Sequence, residues 1–272
     1  MDRHKLPHIN FAHVQKVSPS TCFLGQAKII ADQYYRVNIL PVEIAVNKKN
    51  LKGCTLITGF HGIGETGYIA VSYLIHAISA ERIGFVKVAN PPPFIATSED
   101  GIVTPFEVFK KGNVVMVKLE FTPHRSEEAE FSKTVASWAV KEKFRDAVLI
   151  GGLDSNFRSG KDDFRIVPTQ AYLTKSKKFK AQPLDPGLFV YGPLAVMLGQ
   201  FEIHRFPAVA ILPYATAARA DPGAAAVAIR NICKAYSLKV DVSDLEKDAK
   251  EIEEEIDRRM RQTKESLRSM YV

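Results

Sequence analysis

The stretch CTLITGFHGIGETG, residues 54–67, joins a short apolar run to a glycine-rich turn. Its first residues, Cys54 to Thr58, have the composition of a buried strand, and the helical stretch Gly67 to Ala80 follows the turn directly. A buried strand that passes through a tight turn into a helix is the repeating unit of α/β layer folds. This stretch therefore predicts the fold class.

The same alternation of strands and helices continues along the chain. Apolar runs rich in Val, Ile, Leu and Phe predict further strands at Tyr34 to Ile39, Phe85 to Ala89, Val114 to Phe121, Ala147 to Ile150, Leu188 to Tyr191 and Ala208 to Leu212. Helices are predicted at Glu127 to Phe144, Leu194 to Gly199 and Pro222 to Tyr236, the last with Asp221 as its N-cap. We therefore expect an α/β globular body over residues 1–241, with a largely parallel sheet.

Composition excludes several classes of protein. The 272 residues are 46% hydrophobic and 25% charged, as in an ordinary globular protein, and the net charge is +7. The three cysteines are far apart and form no CxxC pair, which predicts neither a zinc site nor a disulfide framework and favours the reducing cytoplasm. The N-terminus lacks an apolar signal region, and the best apolar stretch is about half a membrane span, so we expect no membrane association. Basic charge can serve any acidic partner, but no RNA-binding motif or zinc finger is present, so nucleic acid is not the expected partner.

The glycine-rich turn allows two interpretations. Its spacing fits a phosphate-binding loop, but Glu65 stands where that loop has a lysine, and a carboxylate there repels phosphate. The backbone at Gly59, Gly62, Gly64 and Thr66 could still hold an anion at a helix N-terminus, which makes these four residues a candidate ligand loop and a nucleoside- or nucleotide-acting enzyme the alternative function. The favoured interpretation is structural, with glycines meeting the needs of positive φ and close packing.

No constellation of catalytic residues is evident. The seven histidines form no HExxH motif, and no GxSxG motif is present. The adjacent carboxylates, such as Asp162 and Asp163, lie in polar loops. We therefore predict no catalytic residue, no metal site and no cofactor, and we do not expect an enzyme.

The C-terminal segment, residues 242–272, differs from the body. Glycine and proline are absent from Ser243 onward, and residues 244–268 contain nine acidic and seven basic side chains. Ser243 to Glu246 have the form of a capping box, and Glu246 with Lys250 is the first of several i,i+4 ion pairs. The apolar stripe of this segment is thin. We therefore expect a long charged helix whose first half packs on the body or on a partner and whose second half projects.

That helix ends in Met270, Tyr271 and Val272. At the tip of a projecting helix, these side chains have no core to enter. A terminal carboxylate next to an aromatic residue is a common type of captured ligand, and tyrosine is a favoured interface anchor. The triplet therefore predicts a docking tail that binds a partner protein.

Several pieces of the chain, in order, resemble the proteasome assembly chaperone 2 family, in particular its archaeal members. The pieces are Gly59 to Gly64, Tyr191 to Leu194, Leu212 to Ala215, Asp221 to Ala226, and Leu238 to Asp241 before the charged helix. The resemblance extends from about Cys22 to the end of the chain. It implies a three-layer α/β/α sandwich similar to purine nucleoside phosphorylase but without the catalytic residues of that enzyme.

The resemblance also implies a function. Relatives assist assembly of the proteasome core particle, and the tail is similar to the hydrophobic-tyrosine-any motif of proteasome activators. In those proteins the terminal carboxylate meets a lysine between α-ring subunits, and the tyrosine helps to open the gate. We therefore expect an ATP-independent assembly chaperone or activator that docks Met270, Tyr271 and Val272 into α-ring pockets. We also expect a homo-oligomer, with a tetramer as the working number.

Overall fold

A computed structural model describes residues 41–47, 50–98, 101–158, 160–252, 254 and 258. The predicted strand Tyr34 to Ile39 and the tail Met270 to Val272 lie outside this part of the chain. The strands are β1 (Glu43–Val46), β2 (Thr55–Gly59), β3 (Glu81–Lys87), β4 (Ala96–Ser98), β5 (Gly101–Val103), β6 (Phe106–Lys111), β7 (Val114–Leu119), β8 (Asp146–Ile150), β9 (Leu153–Asp154), β10 (Phe164–Pro168) and β11 (Ala208–Ala215). The helices are α1 (Thr66–Ala77), α2 (Glu128–Lys141), α3 (Gln170–Lys175), α4 (Gly192–Ile203), α5 (Pro222–Tyr236) and α6 (243–252).

One large sheet organises these elements, in the order β1-β3-β6-β7-β2-β8-β11-β10, with β9 paired to the end of β11. The central strands β7, β2, β8 and β11 are parallel. The strands β1, β3, β6 and β7 pair antiparallel, as do β10 and β11. The expectation of a largely parallel sheet is therefore wrong for β1, β3, β6 and β10, whereas β9 pairs parallel with β11. For β6 and β7 a tight connection explains the difference, since two residues join these strands and parallel neighbours need a longer crossover.

Most predicted elements are present, with one clear exception. Helix α5 has the predicted bounds, and the Asp221 carboxylate accepts a hydrogen bond from the backbone N–H of Ala224 over 2.9 Å, which confirms the cap. The predicted strand Leu188 to Tyr191 is wrong, because these residues form a loop that leads into α4. Phe189 and Tyr191 are largely exposed there, so the apolar run is not a core strand.

The sheet carries a helical layer on each face, which confirms the predicted three-layer α/β/α architecture. Helices α1 and α5 pack together on one face, and α2 and α4 pack together on the other. Alternate residues of β2 divide between the two cores, with Leu56 facing α2 and α4 and Ile57 facing α1 and α5. Both residues have no exposed surface, as expected for a strand buried on both sides.

The charged C-terminal segment begins on the body. Val242 and Leu245 are buried with the core residues of the α1 and α5 layer. The Tyr73 hydroxyl donates a hydrogen bond to the Asp241 carbonyl over 2.8 Å. The division of the chain at residues 241 and 242 into a body and a docking helix stays a prediction.

Two local details of α6 differ from expectation. The predicted capping box is wrong, because the Glu246 N–H donates to the Val242 carbonyl over 3.1 Å, and the Ser243 hydroxyl instead donates to the Asp241 carboxylate over 2.9 Å. Glu246 pairs with Arg230 of α5 and not with Lys250. The contact with α5 thus replaces the ion pair that the local i,i+4 spacing predicts. No helix among the described residues is long and apolar enough to cross a membrane.

Candidate functional site

A pocket of about 440 Å³ lies beyond the carboxyl ends of the parallel strands β2, β8 and β11. Its lining comes from the turn after β2, from Ile150 to Asp154 after β8, from Leu212 of β11, and from residues 188–194. Ligands of open α/β sheets commonly bind at this edge, because the loops after neighbouring parallel strands converge there. The fold therefore makes this pocket the leading candidate for a ligand site.

The glycine-rich turn forms one wall of the pocket, and packing explains its glycines with the exception of Gly62, where a Cβ meets nothing within 4 Å. Side chains at Gly59 or Gly67 would collide with each other's backbone, since strand β2 and the start of α1 almost touch. Gly64 has a φ of +65°, and a Cβ there would lie 2.8 Å from the Ala215 Cβ. Gly152 meets the Ile63 carbonyl in the same way. All four close approaches involve this turn, as the favoured interpretation of a tight connection expects.

Two polar groups of the turn are engaged locally. The buried Thr66 hydroxyl donates to the Ile63 carbonyl over 3.0 Å, and the Glu65 N–H donates to the Gly62 carbonyl over 2.9 Å. The Glu65 side chain is exposed, and its backbone is left-handed with a φ of 49°. Anion binding by Gly59, Gly62, Gly64 and Thr66 stays a prediction, and these contacts give it no support.

The opposite wall is apolar and partly exposed. It consists of the loop before α4 and neighbouring residues, including Leu153, Leu184, Leu188, Val190, Leu194 and Leu212. Three aromatic side chains at the pocket are largely open to solvent, Phe189 at 79%, Tyr191 at 72% and Phe157 at 53% exposure. The sequence interpretation missed this wall because it assigned residues 188–191 to a strand. The flanking Pro186-Gly187 and Gly192-Pro193 pairs are the signal that could have identified a loop.

The charge of the pocket is opposite to that of the whole protein. Its ionisable lining residues are His61, Glu128, Asp154 and Tyr191, and no lysine or arginine is present among the described residues that line it. One Asp154 oxygen accepts a hydrogen bond from the Asn156 N–H over 2.9 Å. Glu128 lies beside the first turn of α4, whose partial positive charge attracts a carboxylate. Two carboxylates therefore give this site a negative potential in a protein of net charge +7.

His61 is held by a small polar network behind the turn. Its ring stacks on Tyr68 with centroids 4.3 Å apart, and its Nε2 lies 3.1 Å from the Leu119 carbonyl. The Tyr68 hydroxyl donates to Glu120 over 2.8 Å. Burial, and after it this hydrogen bond, raises the pKa of Tyr68 to about 12. A tyrosine that keeps its proton is a positioning group here and no base at neutral pH.

A second polar cluster lies at the other end of the sheet. Asp146 is buried at the start of β8 and accepts hydrogen bonds from the Thr55 hydroxyl over 2.6 Å and from Lys178 Nζ over 2.9 Å. The same Nζ lies 3.9 Å from the centroid of the Tyr236 ring. Burial, followed by the charge of Asp146, raises the pKa of Tyr236. These contacts join β2, β8 and the end of α5, so the cluster stabilises the fold.

The other polar residues that the sequence analysis considers are dispersed over the fold. His204 follows α4 and lies 2.9 Å from the Gln200 side chain. Asp162 pairs with Arg165 over 2.8 Å, and Asp163 pairs with Arg158 over 2.7 Å. Within the described ranges, no group of three or more His, Cys, Asp or Glu residues is arranged to hold a metal ion.

The geometry defines a class of protein, namely a three-layer α/β/α sandwich with a mixed sheet and an apolar, acidic pocket at the carboxyl edge of its parallel strands. A match to a family model identifies the family. The PAC2 family model matches residues 56–260, and this chain belongs to the PAC2 family.

Individual relatives are distant in sequence. An uncharacterized protein of Methanocaldococcus jannaschii is 21% identical over 230 residues, which cover 80% of this chain and 88% of that protein. Among solved structures, Pyrococcus furiosus PbaA, described as an archaeal homolog of proteasome-assembly chaperone, matches with a TM-score of 0.69 and 21% identity over 85% of this chain and 96% of its own. Pyrococcus furiosus PbaB, described as an archaeal proteasome activator, matches with a TM-score of 0.62 and 17% identity over 80% of this chain and 98% of its own. At such identities these structures establish the common fold.

Proposed function

We propose that this protein binds the proteasome core particle and acts as an assembly chaperone or activator, without ATP and without catalysis. The observation that carries the proposal is the combination of a PAC2 fold with a sequence that ends in Met270, Tyr271 and Val272. Two solved structures that share the fold carry descriptions as a homolog of a proteasome-assembly chaperone and as a proteasome activator. Both descriptions concern the same partner, which supports the same partner for this chain.

In the proposed mechanism, the tail docks into pockets between α-ring subunits. Tyr271 fills the pocket, Met270 adds apolar contact, and Val272 supplies the carboxylate. The start of the terminal helix supports this arrangement. Leu245 anchors the helix on the body, while the side chains of Lys247 and Lys250 are about three quarters exposed. A helix that starts on the body with so polar a surface is suited to carry a tail outward.

Self-association is the second part of the proposal. A three-residue tail binds weakly by itself, and several tails on one homo-oligomer raise the overall affinity by about 10²–10⁴-fold where the geometry permits simultaneous docking. A tetramer is the working stoichiometry. Sedimentation analysis of the purified full chain, alone and with core particles, measures both the copy number and the ratio in the complex.

The direct test is a pull-down of purified core particles with full-length protein. Tyr271→Ala, and separately deletion of the last three residues, should abolish binding. One glycine added after Val272 should do the same, because it moves the carboxylate while keeping every side chain. Ser269→Ala is the matched control in the same segment and should bind normally. Undiminished binding by both Tyr271→Ala and the deletion would refute tail docking.

The two activities within this proposal require separate assays. Gate opening is measured as hydrolysis of a fluorogenic peptide by mature core particles. Assembly is measured as formation of half-proteasomes from separate α and β subunits, with and without this protein. An activator affects the first assay, and a chaperone affects the second.

The alternative, an enzyme acting on nucleosides or nucleotides at Gly59 to Gly67, has less support. Packing accounts for Gly59, Gly64 and Gly67, and Glu65 occupies the lysine position. A thermal-shift screen with nucleosides, ATP and phosphate discriminates the two functions, because a ligand of the folded state must raise its melting temperature. A shift with ATP that is lost in a Thr66 variant would favour the alternative.

A further inference from the structure

We propose that the pocket at the carboxyl ends of β2, β8 and β11 binds a small organic cation, a protonated amine carried on an apolar body. The site is independent of the docking tail and of any proteasome partner. Its volume of about 440 Å³ falls within the range of small-molecule sites, roughly 300–1,000 Å³. It also lies at the edge of the sheet where ligands of α/β folds bind.

The apolar walls of the pocket favour a ligand with an apolar body. Leu153, Leu188, Leu194 and Leu212 contribute aliphatic surface from three separate segments of the chain. Above them, the exposed rings of Phe189 and Tyr191 lie 6.5 Å apart by their centroids and are tilted by 60°. Aromatic side chains left this open at a concave site gain favourable free energy when a ligand covers them.

The charges select the amine. Glu128 and Asp154 are both half-buried residues of the pocket lining. Asp154 has a backbone partner at Asn156, whereas the Glu128 carboxylate has no hydrogen bond or ion pair among the described residues. The described lining lacks lysine and arginine, and Glu128 already lies beside the partial positive charge at the start of α4, so two carboxylates repel an added anion. The pocket therefore disfavours phosphate-bearing ligands and favours a cation.

The test uses two probes that share one body and differ in charge, naphthylmethylamine and naphthoic acid substituted at the same ring position. Binding to the full-length protein is measured by isothermal titration calorimetry and by saturation-transfer NMR. We expect the amine to bind at least about tenfold more tightly than the acid, since the partly buried carboxylates attract one and repel the other. Equal affinity for the two probes, or no binding of the amine, would overturn the proposal.

Variants locate the binding. Glu128→Gln should weaken amine binding by about five- to tenfold and leave the acid bound as well or better. Glu130→Gln is the matched control, because it removes the same charge from the same first turn of α2 outside the pocket lining. Leu188→Trp should block both probes by filling the space, with an unchanged melting temperature as evidence of folding. Amine binding that survives both Glu128→Gln and Leu188→Trp would place the ligand elsewhere and contradict the assignment.

Discussion

The backbone N–H of Asp221 donates a hydrogen bond to the carbonyl of Gly64 over 2.8 Å. This bond joins the glycine-rich turn after β2 to the residue that caps α5. Two sequence pieces that are far apart in the chain therefore form one structural unit at the carboxyl edge of the sheet. The contact makes the turn sensitive to small changes at either residue.

The first prediction concerns Gly64. Gly64→Ala should lower the free energy of unfolding by about 2–4 kcal/mol, because the added Cβ meets Ala215 and Asp221 at a backbone with positive φ. Gly62→Ala is the matched control in the same turn, since a Cβ there meets nothing within 4 Å, and its cost should stay below about 1 kcal/mol. Urea unfolding monitored by circular dichroism measures both. Equal costs for the two variants would contradict the packing explanation of the turn.

The second prediction concerns Asp221 itself. Its carboxylate accepts hydrogen bonds from the Ala224 N–H and the Thr216 N–H, each over 2.9 Å. Asp221→Ala should cost about 1–3 kcal/mol, because it removes the helix cap and leaves a second N–H without its partner. Asp221→Asn keeps an acceptor oxygen and should cost less than half as much. If Asp221→Asn lowered the free energy of unfolding in urea by more than Asp221→Ala does, the capping role would be refuted.

The third prediction concerns the buried carboxylate of Asp146. Lys178→Met should destabilise the protein by about 1–2 kcal/mol. The cost stays low because the Lys178 side chain is 26% exposed and because Arg145 Nε, 3.6 Å from the Asp146 carboxylate, remains as a second cation. Lys180→Met, an exposed change in the same loop, should cost less than about 0.5 kcal/mol. In an Asp146→Asn background the Lys178 change should cost clearly less. Additive costs in this double-mutant cycle would mean that the two groups do not interact.

The fourth prediction is a dependence of stability on pH. Since the pKa of Tyr68 is raised to about 12, the folded protein holds this proton more tightly than the unfolded chain, whose tyrosine titrates near 10.0. The stabilisation is therefore complete below pH 10.0 and is lost as the pH rises toward about 12. Tyr68→Phe should make the alkaline decline in the free energy of unfolding shallower. An unchanged decline in urea titrations over that pH range would show that Tyr68 does not contribute.

The fifth prediction links the start of α6 to partner binding. Leu245→Ala should cost about 2 kcal/mol in urea unfolding, because it removes buried contacts that hold the helix on the body. It should also weaken the pull-down of core particles although the tail is intact, since a loosened helix presents the tail less rigidly. Lys247→Ala, an exposed change on the same helix, should alter neither. If the Leu245→Ala protein bound core particles normally although its α6 had become sensitive to protease, docking would not depend on the anchoring of this helix.

Local patterns predicted much of the fold. The central strands β2, β8 and β11 were found because strands buried on both faces are continuous apolar runs. Helix α5 was found with its bounds because Asp221 and Pro222 provide a cap and a first turn within neighbouring residues. The structural need for glycine in the turn was predicted for the same reason, since the turn joins two elements that are adjacent in the chain.

Strands with buried charges were not predicted. Glu107 lies buried in β6 and pairs with Arg82 of β3 over 2.7 Å. Arg165 lies buried in β10 and pairs with Asp162 over 2.8 Å. A charged residue inside a strand resembles loop sequence until its partner is known, and for β6 that partner lies on another strand. Because the sequence pattern does not predict β6 and β10, it overstates the share of parallel strand pairs in the sheet.

The sequence by itself determined the α/β class, the strand-turn-helix unit around residues 54–67, the capped helix α5 and the charged segment that begins near Ser243. These features depend on residues within a few positions of one another. Only the tertiary structure decided the antiparallel edges of the sheet, the pairing of Glu246 with Arg230, and the pocket, whose described lining is acidic and contains no lysine. Strand pairing, ion pairs and pocket charge depend on segments that are distant in the chain, and the composition of each segment alone does not reveal its neighbours. The glycine-rich turn belongs to both groups, since its local sequence requires the bend and its contacts with Ala215 and Asp221 decide why Gly64 must stay glycine.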